Sequence, residues 1–407
     1  MSSAESAELH PLDTPRHGIR YVATPGDWSR VLDELQAGSG PIGLDVERAS
    51  GFRYSPRAYL VQIYRRGTMN YLVDPLEIPR LDEFTERFAD IEWILHAARQ
   101  DLPSLRAVGM EPASIFDTEL AARIAGRERV GLQGSVEDLL GFTLKKEHSA
   151  ADWSTRPLPE EWLHYAALDV EVLPDLRDAL YQQLEEQAKW PLVNEEFEAI
   201  LTEGPPAPRV EPWRKLSGLH QVRGQRALAV ARELWLAREA LAEELDVSPG
   251  RLIPDRSIVH AAISNPQSMG ALLALENFHG RASRKEAERW WQAIERGHTT
   301  KELPSLKAPG DSLPPPRAWA DRAPEAYRRF VIGRDLVNRQ ATALNIPAEN
   351  LLTPEHLRRL CWKPNNPGSA LAINEQLLDL GARRWQRDLV VPLLLEAFSL
   401  ASELPSP

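Results

Sequence analysis

The sequence predicts an α/β block, a mixed sheet flanked by helices, followed by two all-α helical modules. Three observations predict it. Short apolar runs of strand character are confined to the first quarter of the chain. From Leu102 onward helical periodicity dominates. Two proline-rich breaks then divide the rest of the chain. A chain of 407 residues suits two to three domains at roughly 150 residues each. The expected organisation is a disordered tail (1–19), an α/β block (20–201), a Pro-rich linker (202–212), a helical block (213–298), a second linker (299–316) and a last helical block (317–401).

The strands come first. Residues 42–47, 59–64 and 69–73 are short and apolar, and Arg65-Arg66-Gly67-Thr68 between the last two predicts a hairpin. Residues 93–96 form a fourth candidate. The helical period is clearest over residues 159–189. With its own strands and helices, the α/β block is expected to fold alone. The two helical blocks resemble each other: Leu245-Asp-Val-Ser-Pro-Gly-Arg-Leu252-Ile253 lies 99 residues before Leu344-Asn-Ile-Pro-Ala-Glu-Asn-Leu351-Leu352. Both follow a helix rich in Ala, Leu, Arg and Glu, which predicts a duplicated unit.

Composition excludes several classes. Hydrophobic residues at 43% and charged residues at 26% exclude disorder over the whole chain. No apolar run approaches the ~18 residues of a membrane span, and residues 1–20 lack the apolar stretch of a secretory signal. A single cysteine, Cys361, excludes an intrachain disulfide and fits a reducing, cytoplasmic setting. No phosphate-binding loop of the GKS or GKT type is present, so no ATP-driven motor is expected. The net charge of −11 argues against nucleic acid only on average. Residues 213–298 hold 13 Arg and Lys against 10 Asp and Glu, a basic segment in an acidic chain.

Three segments carry candidate chemistry. In Gly43-Leu44-Asp45-Val46-Glu47 the strand alternation puts both carboxylates on one face and Leu44 and Val46 on the other. Adjacent carboxylates repel unless a cation sits between them, and hard oxygen ligands suit magnesium or manganese. A solvated strand end is the bland reading. In His96-Ala-Ala-Arg-Gln-Asp101 a strand ends and a helix begins near Asp101, where negative charge is favoured for its own sake. In Tyr165-Ala-Ala-Leu-Asp169 the i, i+4 spacing puts phenol and carboxylate about 40° apart on one helix face.

Taken together, the order, spacing and context of these segments resemble the DEDD family of 3′–5′ exonucleases, and in detail its ribonuclease D group, over residues 20–195. The string Asp152-Trp153-Ser154-Thr155-Arg156-Pro157-Leu158 adds to the likeness. The helical blocks resemble the nucleic-acid-binding HRDC module shared with RecQ-type helicases, most clearly at residues 234–254, with the last block a divergent copy. The resemblance implies a ribonuclease-H-like fold for the first block. It implies that Asp45, Glu47, Asp101 and Asp169 hold two divalent cations, Mg or Mn, about 4 Å apart for hydrolysis, with Tyr165 orienting or helping to deprotonate the attacking water. It implies RNA with a free 3′ end as partner, tRNA precursors among them. A DNA 3′–5′ exonuclease and a non-catalytic RNA-binding scaffold are the alternatives. The family divides by a Tyr four residues, or a His five residues, before the last Asp. This chain has both, Tyr165 and His164. On a continuous helix His164 points about 140° from Asp169, which favours the Tyr branch.

Other residues carry weaker signals. Asp117 suits a helix cap. Lys145, Lys146 and Arg156 precede the third motif and are candidate phosphate contacts, or a solvated basic loop. Trp290-Trp291 suggests base stacking, with at least one ring expected in a core. Cys361 reads as a small hydrophobe.

Overall fold

The computed structural model describes residues 9–145, 148, 150–205, 207–278, 280–307 and 313–403. Eight strands occur among them: β1 (His10–Leu12), β2 (Ile19–Val22), β3 (Ser39–Arg48), β4 (Ala58–Arg66), β5 (Asn70–Val73), β6 (Trp93–Leu95), β7 (Ile115–Asp117) and β8 (Phe142–Leu144). Among the described residues up to Thr202, eight helices accompany them: α1 (Pro25–Ala37), α2 (Asp82–Arg87), α3 (Ala98–Ala107), α4 (Thr118–Ile124), α5 (Leu132–Leu140), α6 (Glu160–Glu171), α7 (Leu173–Glu186) and α8 (Trp190–Thr202). Six strands form a mixed sheet in the order β2-β5-β4-β3-β6-β7, and β1 pairs separately with β8. The β3-β4-β5 ladder is antiparallel, while β6 and β7 continue from β3 in parallel. The predicted hairpin closes through Thr68 N–H to Arg65 C=O at 3.1 Å, with Gly67 at φ +88°, a region open to glycine at little cost.

One expectation changes here. Strands β7 and β8, three residues each, lie inside the stretch expected to be helical; they are too short for a period to register. The helical period over residues 159–189 is carried by two helices, α6 and α7, that meet at Val172. Pro174 begins the second, because its ring and missing N–H cannot continue the first.

The helical blocks differ in how they pack. Residues 213–299 close their own core around Trp213, Leu234, Ile258 and Trp290. Trp290 is fully buried and its Nε1 donates to Ser283 C=O at 3.0 Å, while Trp291 packs at the edge of that core. The last block does not close alone. Trp319, Phe330, Leu360, Cys361 and Trp385 belong to the same apolar cluster as the sheet and α8. The apolar core of the α/β block thus continues into the last block. Trp385 Nε1 donates to Glu196 Oε1 at 3.0 Å, and Arg383 Nη2 to Glu203 Oε1 at 3.0 Å, across this joint. Burial pushes the Cys361 thiol up to about 12, in keeping with a core residue.

The repeat seen in the sequence recurs in the backbone. Asp246 and Asn345, 99 residues apart, both adopt left-handed φ, +48° and +49°, after a long helix. Each turn docks on the α/β block. Asp246 accepts from Ser55 N at 2.9 Å, and Arg251 Nε donates to Gly51 C=O at 2.8 Å. The carbonyl of Asn345 accepts from Lys189 Nζ at 3.1 Å. Among the described residues no helix is long and apolar enough to cross a membrane.

Candidate active site

Strand β3 supplies the first two carboxylates. The alternation holds: Leu44 and Val46 enter the main core, and Gly43, Asp45 and Glu47 face α6 and α7. Gly43 decides how close those helices come, since a Cβ there would lie 2.9 Å from Val170 C=O. Asp169 is the residue before Val170. Asp45, Glu47 and Asp169 each present an oxygen, and the three lie within 4.8 Å of one another. All line a cleft of about 610 Å³, together with Asp101, Tyr165, His96, Gln133 and Lys145.

Asp101 arrives on α3. That helix starts at Ala98, three residues earlier than expected, and its N-cap, Ala97, has no capping side chain. Asp117 replaces it from the next strand, accepting from Ala97 N at 3.1 Å and Ala98 N at 2.8 Å. The same carboxylate caps its own helix through Glu119 N at 3.0 Å and Leu120 N at 3.1 Å. Asp117 thus ties α3 to α4 and fixes where Asp101 points. The Asp101 carboxyl lines the same cleft as Asp45, and Arg48 Nη2 lies 3.3 Å from its Oδ1. A register irregularity between Glu47 and Arg48 interrupts the alternation at this point.

The electrostatics are those of crowded, buried carboxylates. Burial, followed by the neighbouring acids, pushes Glu47, Asp101 and Asp169 well above the usual carboxylate range, and burial raises Asp45 as well. Such a set suits a hard divalent cation, which replaces the shared protons with charge. Tyr165 lies beside Asp169 on the cleft wall. Burial, then Asp169 and Glu47, raise its phenol far above the ordinary value, so it stays protonated. His164 turns elsewhere, 4.0 Å from Glu160. His96, on the cleft wall, is lowered to about 4 by burial and is therefore neutral; its Nδ1 lies 2.8 Å from Thr118 Oγ1.

The basic candidates separate. Lys145 is exposed at the cleft. Lys146 lies outside the described residues. Arg156 points inward, contrary to the phosphate-contact reading. Its guanidinium meets Asp74 at 2.7 and 2.9 Å, Tyr59 C=O at 2.7 Å, Trp153 C=O at 2.8 Å and Thr155 C=O at 2.7 Å, which uses all five donors. Arg48 and Asp117 were not legible as site-building residues, because each acts across elements.

Comparison with known proteins gives three family matches: 3′-5′ exonuclease over residues 19–185, HRDC domain over 227–294, and 3′ to 5′ exonuclease C-terminal domain over 312–398. The chain is 29% identical to ribonuclease D of Pseudomonas paraeruginosa over 364 residues, 88% of this chain and 92% of that one. It is 31% identical to ribonuclease D of Acidiphilium cryptum over 286 residues, 67% of this chain and 69% of the relative. A protein from Bifidobacterium adolescentis has a similar structure (TM-score 0.89, 35% identity, 96% of this chain and 100% of that one). Escherichia coli RNase D shares the fold at TM-score 0.65 and 24% identity, with 96% of this chain and 100% of that one covered.

Proposed function

This chain belongs to the ribonuclease D family and is a metal-dependent 3′–5′ exoribonuclease, and from that premise we propose which of its groups carry the reaction. Asp45, Glu47, Asp101 and Asp169 would hold two divalent cations, magnesium or manganese. Such cations, when bound, stabilise charge on a phosphodiester and make a water more acidic. The supporting observation is the convergence of carboxyls from β3, α3 and α6 on one cleft. Tyr165 keeps its proton, so its part is to orient the attacking water by hydrogen bonding. Arg48 offsets the charge of Asp101. Lys145 at the cleft is the candidate phosphate contact.

The natural substrate we propose is RNA with a free 3′ end, tRNA precursors among them, in the cytoplasm, with the HRDC module binding the RNA backbone through its basic segment. The test uses 5′-labelled RNA and DNA, in magnesium and in chelator. Shortening of RNA in magnesium alone is expected. Equal shortening of DNA would favour the DNA exonuclease reading. Asp45→Ala and Asp101→Ala should each abolish cleavage while RNA binding persists. Substantial turnover by either variant would overturn the assignment.

A further inference from the structure

Gln62 is an anomaly beside the site. It is the cross-strand partner of Asp45 in the β3-β4 ladder, so the two side chains share a face. It is 0% exposed, and neither Nε2 nor Oε1 has a hydrogen-bond partner. Its other neighbour across the ladder, Leu72, is apolar, as are Leu60, Ala166 and Ala167 in the cluster beneath α6. A leucine or methionine would fill this place without burying an unsatisfied amide, which is costly. The polar group directly opposite it in the ladder is Asp45. Directly opposed side chains have Cβ atoms about 4.5–5.5 Å apart, which a glutamine amide spans.

We propose that Gln62 is a positioning residue: its Nε2 donates to the Asp45 carboxylate when that side chain is turned to a cation, and so holds its orientation. The inference rests on the reading of Asp45 as a ligand. An outer partner of this kind typically strengthens metal binding 10–100-fold or so.

The experiment compares wild type with Gln62→Leu and Gln62→Met by thermal melting in chelator, calorimetric titration with Mn²⁺, and single-turnover cleavage. Both variants should melt at or above the wild-type temperature in chelator, since an unsatisfied amide has been removed. Both should bind Mn²⁺ about 10–100-fold more weakly, with cleavage recovering at high Mn²⁺. Folded variants with wild-type Mn²⁺ affinity would overturn the proposal. Failure of both to fold would overturn it too, because the amide would then be structural. A wild type that itself binds no Mn²⁺ would instead refute the metal-site reading on which the proposal stands.

Discussion

Replacing Gly43 by alanine tests how the site is assembled, without touching a proposed ligand. The new Cβ would stand 2.9 Å from Val170 C=O and 3.3 Å from Leu173 Cβ. Neither is the free end of a flexible side chain, so the α6–α7 junction must retreat by a few tenths of an ångström. Overpacking of this kind costs about 1–3 kcal/mol. At roughly 2–4 °C per kcal/mol for a domain of this size, the melting temperature should fall by about 2–12 °C. The retreat carries Asp169 away from Asp45. Since a displacement of about 1 Å can cost 10²-fold in rate, a few tenths should cost roughly 5- to 10-fold. The assay is single-turnover cleavage of labelled RNA at saturating magnesium, with thermal melting alongside. Gly26→Ala is the control: nothing lies within 4 Å of its added Cβ, and helix α1 should gain slightly. A Gly43→Ala protein with the wild-type rate and melting temperature would refute the close-approach argument.

Tyr165→Phe should slow the chemical step by roughly 10²-fold or more with little change in cation affinity, and His164→Ala should be mild; single-turnover rates in the reverse order would move the chain to the His branch. The four carboxyls have folded-state pKa values above their unfolded ones, so their contribution to stability is full below the unfolded values and is lost as pH rises through the folded ones. The rise in melting temperature caused by Mg²⁺ over chelator should therefore be larger at about pH 8 than at about pH 5.5; a shift independent of pH, or larger in acid, would contradict the crowded-carboxylate picture. At the joint with the last block, Trp385→Ala should cost about 3–5 kcal/mol and leave the buried Glu196 short of a donor. Chemical denaturation measures this, and a loss below about 1 kcal/mol would show that the joint adds little to the core.

The acidic site was readable because its parts are local. Alternation over five residues put Asp45 and Glu47 on one face, and the i, i+4 spacing did the same for Tyr165 and Asp169 on α6. Both periods are properties of the backbone, so no partner is needed to read them. The strands β3, β4 and β5 and the turn at Gly67 were legible for the same reason. The repeat at Asp246 and Asn345 was visible as an apolar frame, and its left-handed turn accompanies that frame in both copies.

What the tertiary structure alone decided depends on groups far apart in the chain. Asp117 caps a helix that starts 19 residues before it, and so aims Asp101. Arg48 reaches Asp101 where the regular pairing of β3 lapses, which no alternation rule foresees. Arg156 looks like a free cation in sequence, yet Asp74, 82 residues away, takes its guanidinium inside. The last block reads as an independent helical unit, but its apolar faces merge with those of α8, because amphipathic period reports that a face is buried and not against what. Gln62 shows the limit most plainly. In the sequence it is one polar residue in an apolar strand, and only the ladder register sets it, buried and unbonded, beside Asp45.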